Sequence, residues 1–357
     1  MTAESQRFAA SPQWHDGKFR NPQPLWNDLL GGLGSLFRAD PNAAPGTPVP
    51  VYTPSAPELL DPAGGLKATW LGHSTVFLDL EGTRILTDPV WSERASPLAW
   101  LGPKRFFPPP IALEALPEPQ VVTLSHDHYD HLDLPALGRM RNWETRFVVP
   151  LGLGARLREA GIRPDRITEL DWWQRTRIGG LEIVCTPARH ASGRGLLDKD
   201  RTLWSGFAFL GASHRVYFSG DTGLFPGLRD IGGLGPFDLT LIECGEYGQA
   251  WPDWHLGPEQ AVEAHRRVGG KALLPIHWGT FKLAPHCWVE PVERVLVAAE
   301  IAGIRVLTPR PGEPVEPGAN ATQVRWWPSL PWKRAWEAPI QATLDGRKPG
   351  LLPEGVL

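Results

Sequence analysis

Disulfide scaffolds are excluded first, because the chain contains little cysteine. Cys185, Cys244 and Cys287 are the three cysteines among 357 residues, and three thiols cannot make the paired framework that stabilises small secreted domains. A chain of this length can instead bury a large hydrophobic core within one domain. The sequence therefore predicts reduced, buried thiols and a fold stabilised by its core.

A surplus of positive charge is missing as well. The 36 Lys and Arg residues are offset by 39 Asp and Glu residues, for a formal net charge of −3. No basic segment alternates with aromatic residues, as it commonly does in a nucleic-acid-binding groove. We therefore expect no nucleic-acid partner.

Long apolar segments are also absent. No run approaches the length of a membrane-spanning helix, about 20 residues, and residues 1–7 (MTAESQR) have no apolar leader. We expect a cytoplasmic protein that is soluble or, at most, peripheral to the inner face of the membrane.

The most informative segment that is present is a dense array of histidine and aspartate. The apolar run 121–124 leads into residues 125–131 (SHDHYDH). Alternate side chains of an extended strand share a face, so His126 and His128 can bind one ion. The following turn would direct Asp130 and His131 toward a second ion. Imidazole and carboxylate ligands suit Zn²⁺, and also Mn²⁺ or Fe²⁺.

Three further apolar runs end at a candidate ligand. His190 follows the run that ends at Cys185, Asp221 follows residues 216–219 (VYFS), and His277 follows residues 273–276 (LLPI). Four strands that each carry such a residue at their exit predict a shared site along one edge of a sheet.

Taken in order, these motifs (HxHxDH, PAxH, GDTG and PIHWG) resemble those of the metallo-β-lactamase-fold hydrolases. They are most similar to the branch of N-acyl-phosphatidylethanolamine-hydrolysing phospholipase D and its bacterial relatives. Matches elsewhere support this branch, at residues 19–22 (FRNP), 70–75 (WLGHST), 86–90 (LTDPV) and 257–262 (GPEQAV). The resemblance implies an α/β (α+β) fold, a four-layer αββα sandwich, and the alternation of strands and helices agrees with it.

The resemblance also implies two metal sites, with ligands at seven positions of this chain. The first ion would be held by His126, His128 and His190, the second by Asp130, His131 and His277, and Asp221 would bridge both. Zinc β-lactamases place a cysteine at the second metal, whereas this chain has Asp221. An antibiotic-cleaving role is therefore not expected.

Two divalent ions that share a solvent molecule lower its pKa from about 15.7 toward about 7 and polarise a phosphoryl or carbonyl oxygen. The sequence thus predicts a binuclear hydrolase that uses a metal-bridging hydroxide, with Asp130 as a catalytic residue that orients it. The expected activity is phosphodiester cleavage of the phospholipase D type, on an N-acyl phospholipid. A lactonase or other ester hydrolase is the alternative, whereas a non-enzymatic metal-binding protein is disfavoured because every motif position is filled.

Five other residues are candidates for supporting the metal ligands or contacting substrate. They are His73, Asp88, Glu243, His255 and His286. The first three are expected to orient ligands through hydrogen bonds. The last two could meet the substrate phosphate or the leaving group, and the alternative for each is an ordinary surface histidine. His15, His214 and His265 carry no motif and are predicted to lie at the surface.

The chain divides into three predicted parts. Residues 1–64 are a Pro/Gly-rich arm packed on the domain, residues 65–320 are the hydrolase domain, and residues 321–357 are a Trp-rich tail. We expect the tail to pack its indoles on the domain or on a subunit of a homo-oligomer, with contact to a membrane as the alternative. Other tryptophans could line an apolar substrate groove, namely Trp14, Trp26, Trp172, Trp173 and Trp254.

Overall fold

Two mixed β-sheets form the centre of the fold, as seen in a computed structural model. The structure describes residues 3–28, 31–32, 34, 39–62, 65–195, 197–318, 325–343 and 345–347. Within these residues, fourteen strands make two seven-stranded sheets, and β1 (Trp14–His15) pairs with β2 (Lys18–Phe19) in a separate short hairpin.

The first sheet contains strands from both ends of the domain. In chain order they are β3 (Leu66–Gly72), β4 (Thr75–Leu80), β5 (Thr83–Thr87), β6 (Val121–Thr123), β7 (Arg146–Pro150), β8 (Ile167–Leu170) and β16 (Pro314–Val315). Their spatial order is β16-β3-β4-β5-β6-β7-β8. Strands β3, β4 and β5 are antiparallel neighbours, whereas β5 to β8 pair in parallel.

The second sheet repeats this arrangement. Its strands are β9 (Arg175–Ile178), β10 (Leu181–Thr186), β11 (Gly206–Leu210), β12 (Arg215–Phe218), β13 (Leu239–Glu243), β14 (Ala272–Ile276) and β15 (Arg305–Val306). They lie in the order β15-β14-β13-β12-β11-β10-β9, antiparallel from β9 to β12 and parallel from β12 to β15. It follows that β3, β5 and β6 in one sheet, and β10, β12, β13 and β14 in the other, each run in a common direction. Their exits therefore meet at one edge.

Most of the described helices cover the outer faces of the two sheets, whereas the first of them contacts the β1–β2 hairpin. The helices are α1 (Ala3–Ala9), α2 (Leu134–Arg139), α3 (Leu153–Glu159), α4 (Leu228–Gly232), α5 (Pro258–Val268) and α6 (Glu290–Ala302), with 3₁₀ turns at Ala56–Leu59, Leu113–Ala115 and Pro164–Arg166. Helix α5 begins at Pro258, whose missing N–H costs nothing in the first turn, and Gly303 ends α6 with φ of 67°. Both boundaries agree with the sequence.

Period-two alternation of apolar residues sorts the core into layers. On β3, Ala68 and Trp70 point into the core between the sheets, whereas Leu71 faces the outer layer together with Leu137 of α2 and Leu157 of α3. Helices α5 and α6 pack on the second sheet. The predicted four-layer αββα sandwich is confirmed.

Other predictions can be compared with the described residues. Cys185, Cys244 and Cys287 are buried and free, as expected. The prediction for His265 is wrong, because this residue is buried in α5 and its Nδ1 lies 2.7 Å from Oγ1 of Thr240. Strands β8 and β9 were not predicted.

The C-terminal segment packs partly on the domain. Trp326 stacks on Trp278 with ring centroids 5.4 Å apart, and buried Trp327 donates from Nε1 to Glu293. Trp336, in contrast, is 67% exposed. The domain boundaries at 64 and 320 stay predictions, and residues 63–64, 319–324 and 348–357 lie outside the described residues. Among the described residues, no helix is long and apolar enough to cross a bilayer.

Candidate metal centre

The exit of β6 places alternate side chains on one face, as the sequence predicts. Nε2 of His126 and Nδ1 of His128 lie 2.8 Å apart. Asp127, between them, points away and accepts a hydrogen bond from the amide of Gly193 (2.7 Å). The next turn closes through the carbonyl of His128, which accepts from the amide of His131 (3.2 Å).

Four side chains form a first group that could hold a metal ion: His126, His128, His190 and Asp221. Nε2 of His190, at the exit of β10, lies 3.3 Å from Nδ1 of His128. Oδ2 of Asp221, after β12, lies 3.7 Å from Nε2 of both His126 and His190. Residues from three strand exits therefore converge on one point.

A second group of side chains lies beside the same carboxylate, that of Asp221. His73, Asp130, His131 and His277 have donor atoms close enough to hold an ion. Nε2 of His131 and of His277 lie 3.1 Å apart, each 3.4 Å from Oδ2 of Asp130. Oδ2 of Asp221 lies 3.1 Å from His131 and 3.2 Å from His277. Asp221 is thus the residue that joins the two groups.

Local backbone geometry makes this convergence possible. His73, Asp88 and His277 all have positive φ, at 54°, 34° and 64°, a region that non-glycine residues rarely adopt. Gly220 also has positive φ, and a Cβ there would lie 2.5 Å from the carbonyl oxygen of Ser205. The absence of a side chain at Gly220 lets the second sheet approach the first beside Asp221.

Hydrogen bonds orient the imidazoles from behind. Nδ1 of His131 lies 2.6 Å from Oδ2 of Asp88, and Nδ1 of His190 lies 2.8 Å from the carbonyl oxygen of Trp254. Oγ of Ser125 lies 2.9 Å from Nδ1 of His126 and donates to Asp88. Such contacts fix ring orientation and leave the opposite nitrogen facing the centre.

Within the second group, His73 contacts Asp130 and His277. Its Nε2 lies 2.9 Å from Oδ2 of Asp130, and its ring packs on that of His277 with centroids 3.9 Å apart. Burial lowers the pKa of His73 to about 3. The ring is therefore neutral and can donate a hydrogen bond to the carboxylate. The supporting role of His73 stays a prediction.

The remaining candidates separate into two places. Glu243 and His255 form a third group with Asp221 and His277, and Nδ1 of His255 lies 3.0 Å from Oε2 of Glu243. His286 lies outside the three groups. It stacks on Tyr247, with centroids 4.3 Å apart, and lines an adjoining cavity of about 970 Å³.

The charges of the centre follow from burial and from the carboxylates. Burial lowers the pKa of His126 and of His190 well below the usual range, which leaves both rings neutral with a free lone pair. Burial acts the same way on His131 and His277, but Asp221 outweighs it and holds the pKa of both well above the usual range. The carboxylate of Asp221 thus attracts positive charge to this point.

The donor set fits divalent cations. Buried imidazole nitrogens face each other at 2.8 and 3.1 Å, and two such lone pairs repel unless a proton or a cation lies beside them. Oδ1 of Asp221 is buried without a hydrogen-bond partner among the described residues, although buried carboxylate oxygens normally have one. Nitrogen and oxygen donors of this kind suit Zn²⁺, Mn²⁺ or Fe²⁺.

Both groups open into a cleft of about 430 Å³. Its lining includes Trp251, Trp254 and Leu283, and no Lys or Arg among the described residues. Glu246 also lines the cleft and was not predicted as a site residue. Burial holds the pKa of its carboxyl well above the usual range, which favours the uncharged form. Its position three residues after the end of β13 is the signal that could have identified it.

Fold and site together define a metal-dependent hydrolase, and comparison with known proteins identifies the family. Residues 83–278 match the model of the beta-lactamase superfamily domain. The chain is 45% identical over 328 residues to an uncharacterized protein of Mycobacterium tuberculosis, covering 89% of this chain and 87% of that protein. The chain therefore belongs to the beta-lactamase superfamily, and its metallo-β-lactamase fold and hydrolase class agree with the sequence prediction.

Two further proteins are similar over a smaller part of the chain. N-acyl-phosphatidylethanolamine-hydrolyzing phospholipase D 1 of Caenorhabditis elegans is 43% identical over 245 residues, covering 65% of this chain and 69% of that protein. The solved structure of Igni18, a metallo hydrolase from Ignicoccus hospitalis, has a TM-score of 0.55 at 24% identity, covering 70% of this chain and 97% of that one. The likeness to Igni18 concerns the fold.

Proposed function

We propose that this protein is a binuclear metal-dependent phosphodiesterase that cleaves an N-acyl phospholipid. The observation that carries the proposal is the composition of the cleft. Trp251, Trp254 and Leu283 stand beside the two metal-binding groups, and no Lys or Arg lines the described cleft. An apolar wall suits a lipid, whereas a phosphorylated sugar would need cationic side chains for its phosphate. The similarity to the Caenorhabditis elegans phospholipase D supports the same substrate class.

The proposed ligands are the members of the two groups except His73, to which we assign a supporting role. His126, His128 and His190 would hold one ion, Asp130, His131 and His277 the other, and Asp221 both. Zn²⁺ is the proposed metal, because its preferred donors are these nitrogens and oxygens. When bound, the two ions would supply Lewis acidity at the phosphoryl group and a water molecule ionised at neutral pH.

The reaction adds the elements of water across one phosphorus–oxygen bond. Hydroxyl oxygen attaches to phosphorus, the bond to the N-acylethanolamine oxygen breaks, and that oxygen takes up a proton. Asp130 is placed to accept a hydrogen bond from the attacking water, because its Oδ2 faces the centre and is steadied by His73. His255 lines the cleft, and its Nδ1 lies 3.0 Å from Oε2 of Glu243. As an imidazolium it would donate from Nδ1 to this carboxylate and from its free Nε2 to the leaving oxygen, which takes that proton.

Space for the acyl chain adjoins the centre. The cavity of about 970 Å³ shares Asp28, Ala250 and Trp251 with the cleft. Its lining is mixed, with Trp26 and Ile340 among the apolar residues and Asp40, Glu290 and Lys333 among the charged ones. Apolar surface of this kind favours a hydrocarbon chain by removing it from water. A lactone or carboxylic ester would use the same donors, so it is the alternative that a substrate assay has to separate.

The test begins with zinc-loaded protein and a metal count. Two ions per chain are expected by elemental analysis, and far fewer than two in Asp221→Ala. Incubation with N-acyl-phosphatidylethanolamine in detergent micelles should yield phosphatidic acid and N-acylethanolamine by mass spectrometry. Asp165→Asn, at an exposed ion pair with Arg163, is the matched control and should keep both metal and activity. If fully loaded protein forms no product, the lipid assignment is wrong and lactones become the next substrates to test.

A further inference from the structure

One loop exposes a run of apolar residues at its tip. Between β5 and β6 the chain folds back on itself, where Arg94 and Lys104 form an antiparallel bridge and the amide of Ala95 donates to the carbonyl of Pro103 (3.0 Å). The connecting residues 96–102 (SPLAWLG) are called the apolar loop below. They contain no charged side chain.

The exposure of the apolar loop is large and continuous. Leu98, Trp100 and Leu101 are 41%, 73% and 54% exposed, and Pro97 and Ala99 beside them are exposed as well. Single exposed apolar residues are ordinary on protein surfaces. A contiguous group of this kind marks a surface that meets another apolar phase.

The base of the apolar loop packs against the wall of the metal cleft. Ala95 forms a small buried cluster with Val90 and Phe281, and Leu283 packs on that cluster. Leu283 itself lines the cleft beside His277. The loop therefore starts from the wall of the cleft, through Ala95 and Leu283.

Each charged side chain beside the loop has a partner within the protein. Lys104 pairs with Glu93 at 2.7 Å, and the guanidinium of Arg94 donates to the carbonyl of Gly102 (2.6 Å). Buried Arg105 donates to the carbonyl of Val90 (3.2 Å). Tryptophan with neighbouring Lys and Arg is the composition found at the headgroup level of bilayers. Because these cations are already engaged, apolar contact, not attraction to anionic lipid, would provide most of the affinity.

The shape of this surface favours a bilayer over a protein partner. A stable protein interface buries about 800 Å² on each side, more than a seven-residue loop tip can offer. A bilayer takes up an isolated tip whole, with its apolar side chains among the acyl chains and its backbone at the headgroups.

We propose that the apolar loop inserts into the surface of a lipid bilayer and places the metal cleft against the headgroups. Insertion would let an N-acyl phospholipid enter the cleft directly from the membrane. This role of the loop rests on the proposed function for its substrate, but binding to the bilayer itself does not require hydrolysis.

The binding test uses zinc-loaded protein and sedimenting phosphatidylcholine vesicles that contain no N-acyl lipid. Wild-type protein should sediment with them. The double variant Leu98→Ser/Trp100→Ser should bind at least about tenfold more weakly. Raising the salt from about 0.1 to about 0.5 M should change binding by less than about twofold. Wild-type protein that stays in solution, or a double variant that binds equally well, would overturn the proposal.

Two controls separate the loop from other exposed apolar residues. Val297→Ser combined with Ile301→Ser removes two exposed apolar side chains from α6, and Trp336→Ser removes the exposed indole of the C-terminal segment. Both should bind vesicles like the wild type. Loss of binding in Trp336→Ser alone would move the contact to that segment. If the wild type forms dimers and does not bind vesicles, and if the loop substitutions dissociate those dimers, the loop is a subunit interface instead.

Activity distinguishes a failure of docking from a failure of the proposed function. The double variant should hydrolyse N-acyl-phosphatidylethanolamine in vesicles about tenfold more slowly, yet match the wild type on the same lipid in detergent micelles. Vesicle binding by a protein that hydrolyses the lipid in neither form would support docking and refute the substrate. Hydrolysis in micelles without any vesicle binding would refute docking and support the substrate.

Discussion

Arg189 and Asp253 form an ion pair in which both side chains are buried, with Nη1 and Oδ1 3.0 Å apart. Asp253 also accepts hydrogen bonds from the amides of Trp26 (2.8 Å) and Thr343 (2.6 Å). It thereby joins the N-terminal and C-terminal segments at a point next to His190, which follows Arg189 in the chain.

Replacing one partner of this pair should destabilise the whole fold. In Asp253→Asn the buried guanidinium of Arg189 loses its counter-charge, and breaking such a pair costs about 3–5 kcal/mol. Unfolding in urea should show this loss. Asp345→Asn breaks an exposed pair with Arg347 and should cost less than about 1 kcal/mol. Equal effects of the two substitutions would contradict the assigned role of Asp253.

Asp88 should control metal affinity through His131. Asp88→Asn removes the carboxylate that lies 2.6 Å from Nδ1 of His131, and loss of such an outer partner weakens metal binding by about 10–100-fold. Competition with a chromogenic chelator measures the affinity of the weaker zinc site. Asp79→Asn is the matched control, because this buried carboxylate of the same sheet bonds to the amides of Asp61 and Gly82 instead. Unchanged zinc affinity in Asp88→Asn would show that Asp88 does not tune the site.

Gly220 should be intolerant of even a methyl group. Gly220→Ala places a Cβ 2.5 Å from the Ser205 carbonyl oxygen and 2.7 Å from Cβ of Ser125, in a left-handed backbone conformation. Gly82→Ala shares the positive φ but meets no atom within 4 Å, so it should cost about 1 kcal/mol from strain alone. We expect Gly220→Ala to lose more stability than this control, by thermal unfolding, and to bind less metal. Similar melting temperatures would mean that the close approach is not required.

The thiols should be unreactive in the folded protein. Cys185, Cys244 and Cys287 are fully buried, and burial raises the pKa of each, which suppresses the reactive thiolate. A thiol-specific chromogenic reagent should label none of them at neutral pH and all three after denaturation. Rapid labelling of any one without denaturant would show that its surroundings open readily.

Much of the site could be predicted because its signals are local. Residues 121–131 contain both a buried strand and the candidate ligands at its end, and β10, β12 and β14 follow the same rule. The parallel direction of these strands predicted that the candidate ligands lie together, because parallel strands end at the same edge of a sheet. The sequence therefore identified the residues that the fold brings together, although which of them bind metal stays a prediction.

What could not be predicted depends on contacts between distant segments. Nothing in the neighbourhood of Asp253 points to Arg189, 64 residues earlier, because the two meet only once β10 and β13, which precede them, are assembled in the second sheet. Strand β9 (Arg175–Ile178) alternates exposed arginines with half-buried residues. It was not predicted because its sequence lacks the apolar residues that indicate a buried strand. His265 was the avoidable error, since it lies four residues after buried Ala261 on the same face of α5.

The left-handed backbone at His73, Asp88 and His277 means that the candidate metal centre lowers the stability of the fold. Each such residue costs on the order of 1–3 kcal/mol, which is large beside the net stability of an ordinary domain, about 5–15 kcal/mol. Directed evolution for heat resistance alone should therefore discard these side chains early and produce a sturdier, inert sandwich. Thermal robustness and chemical competence are opposed in this molecule, and a selection meant to improve one has to monitor the other.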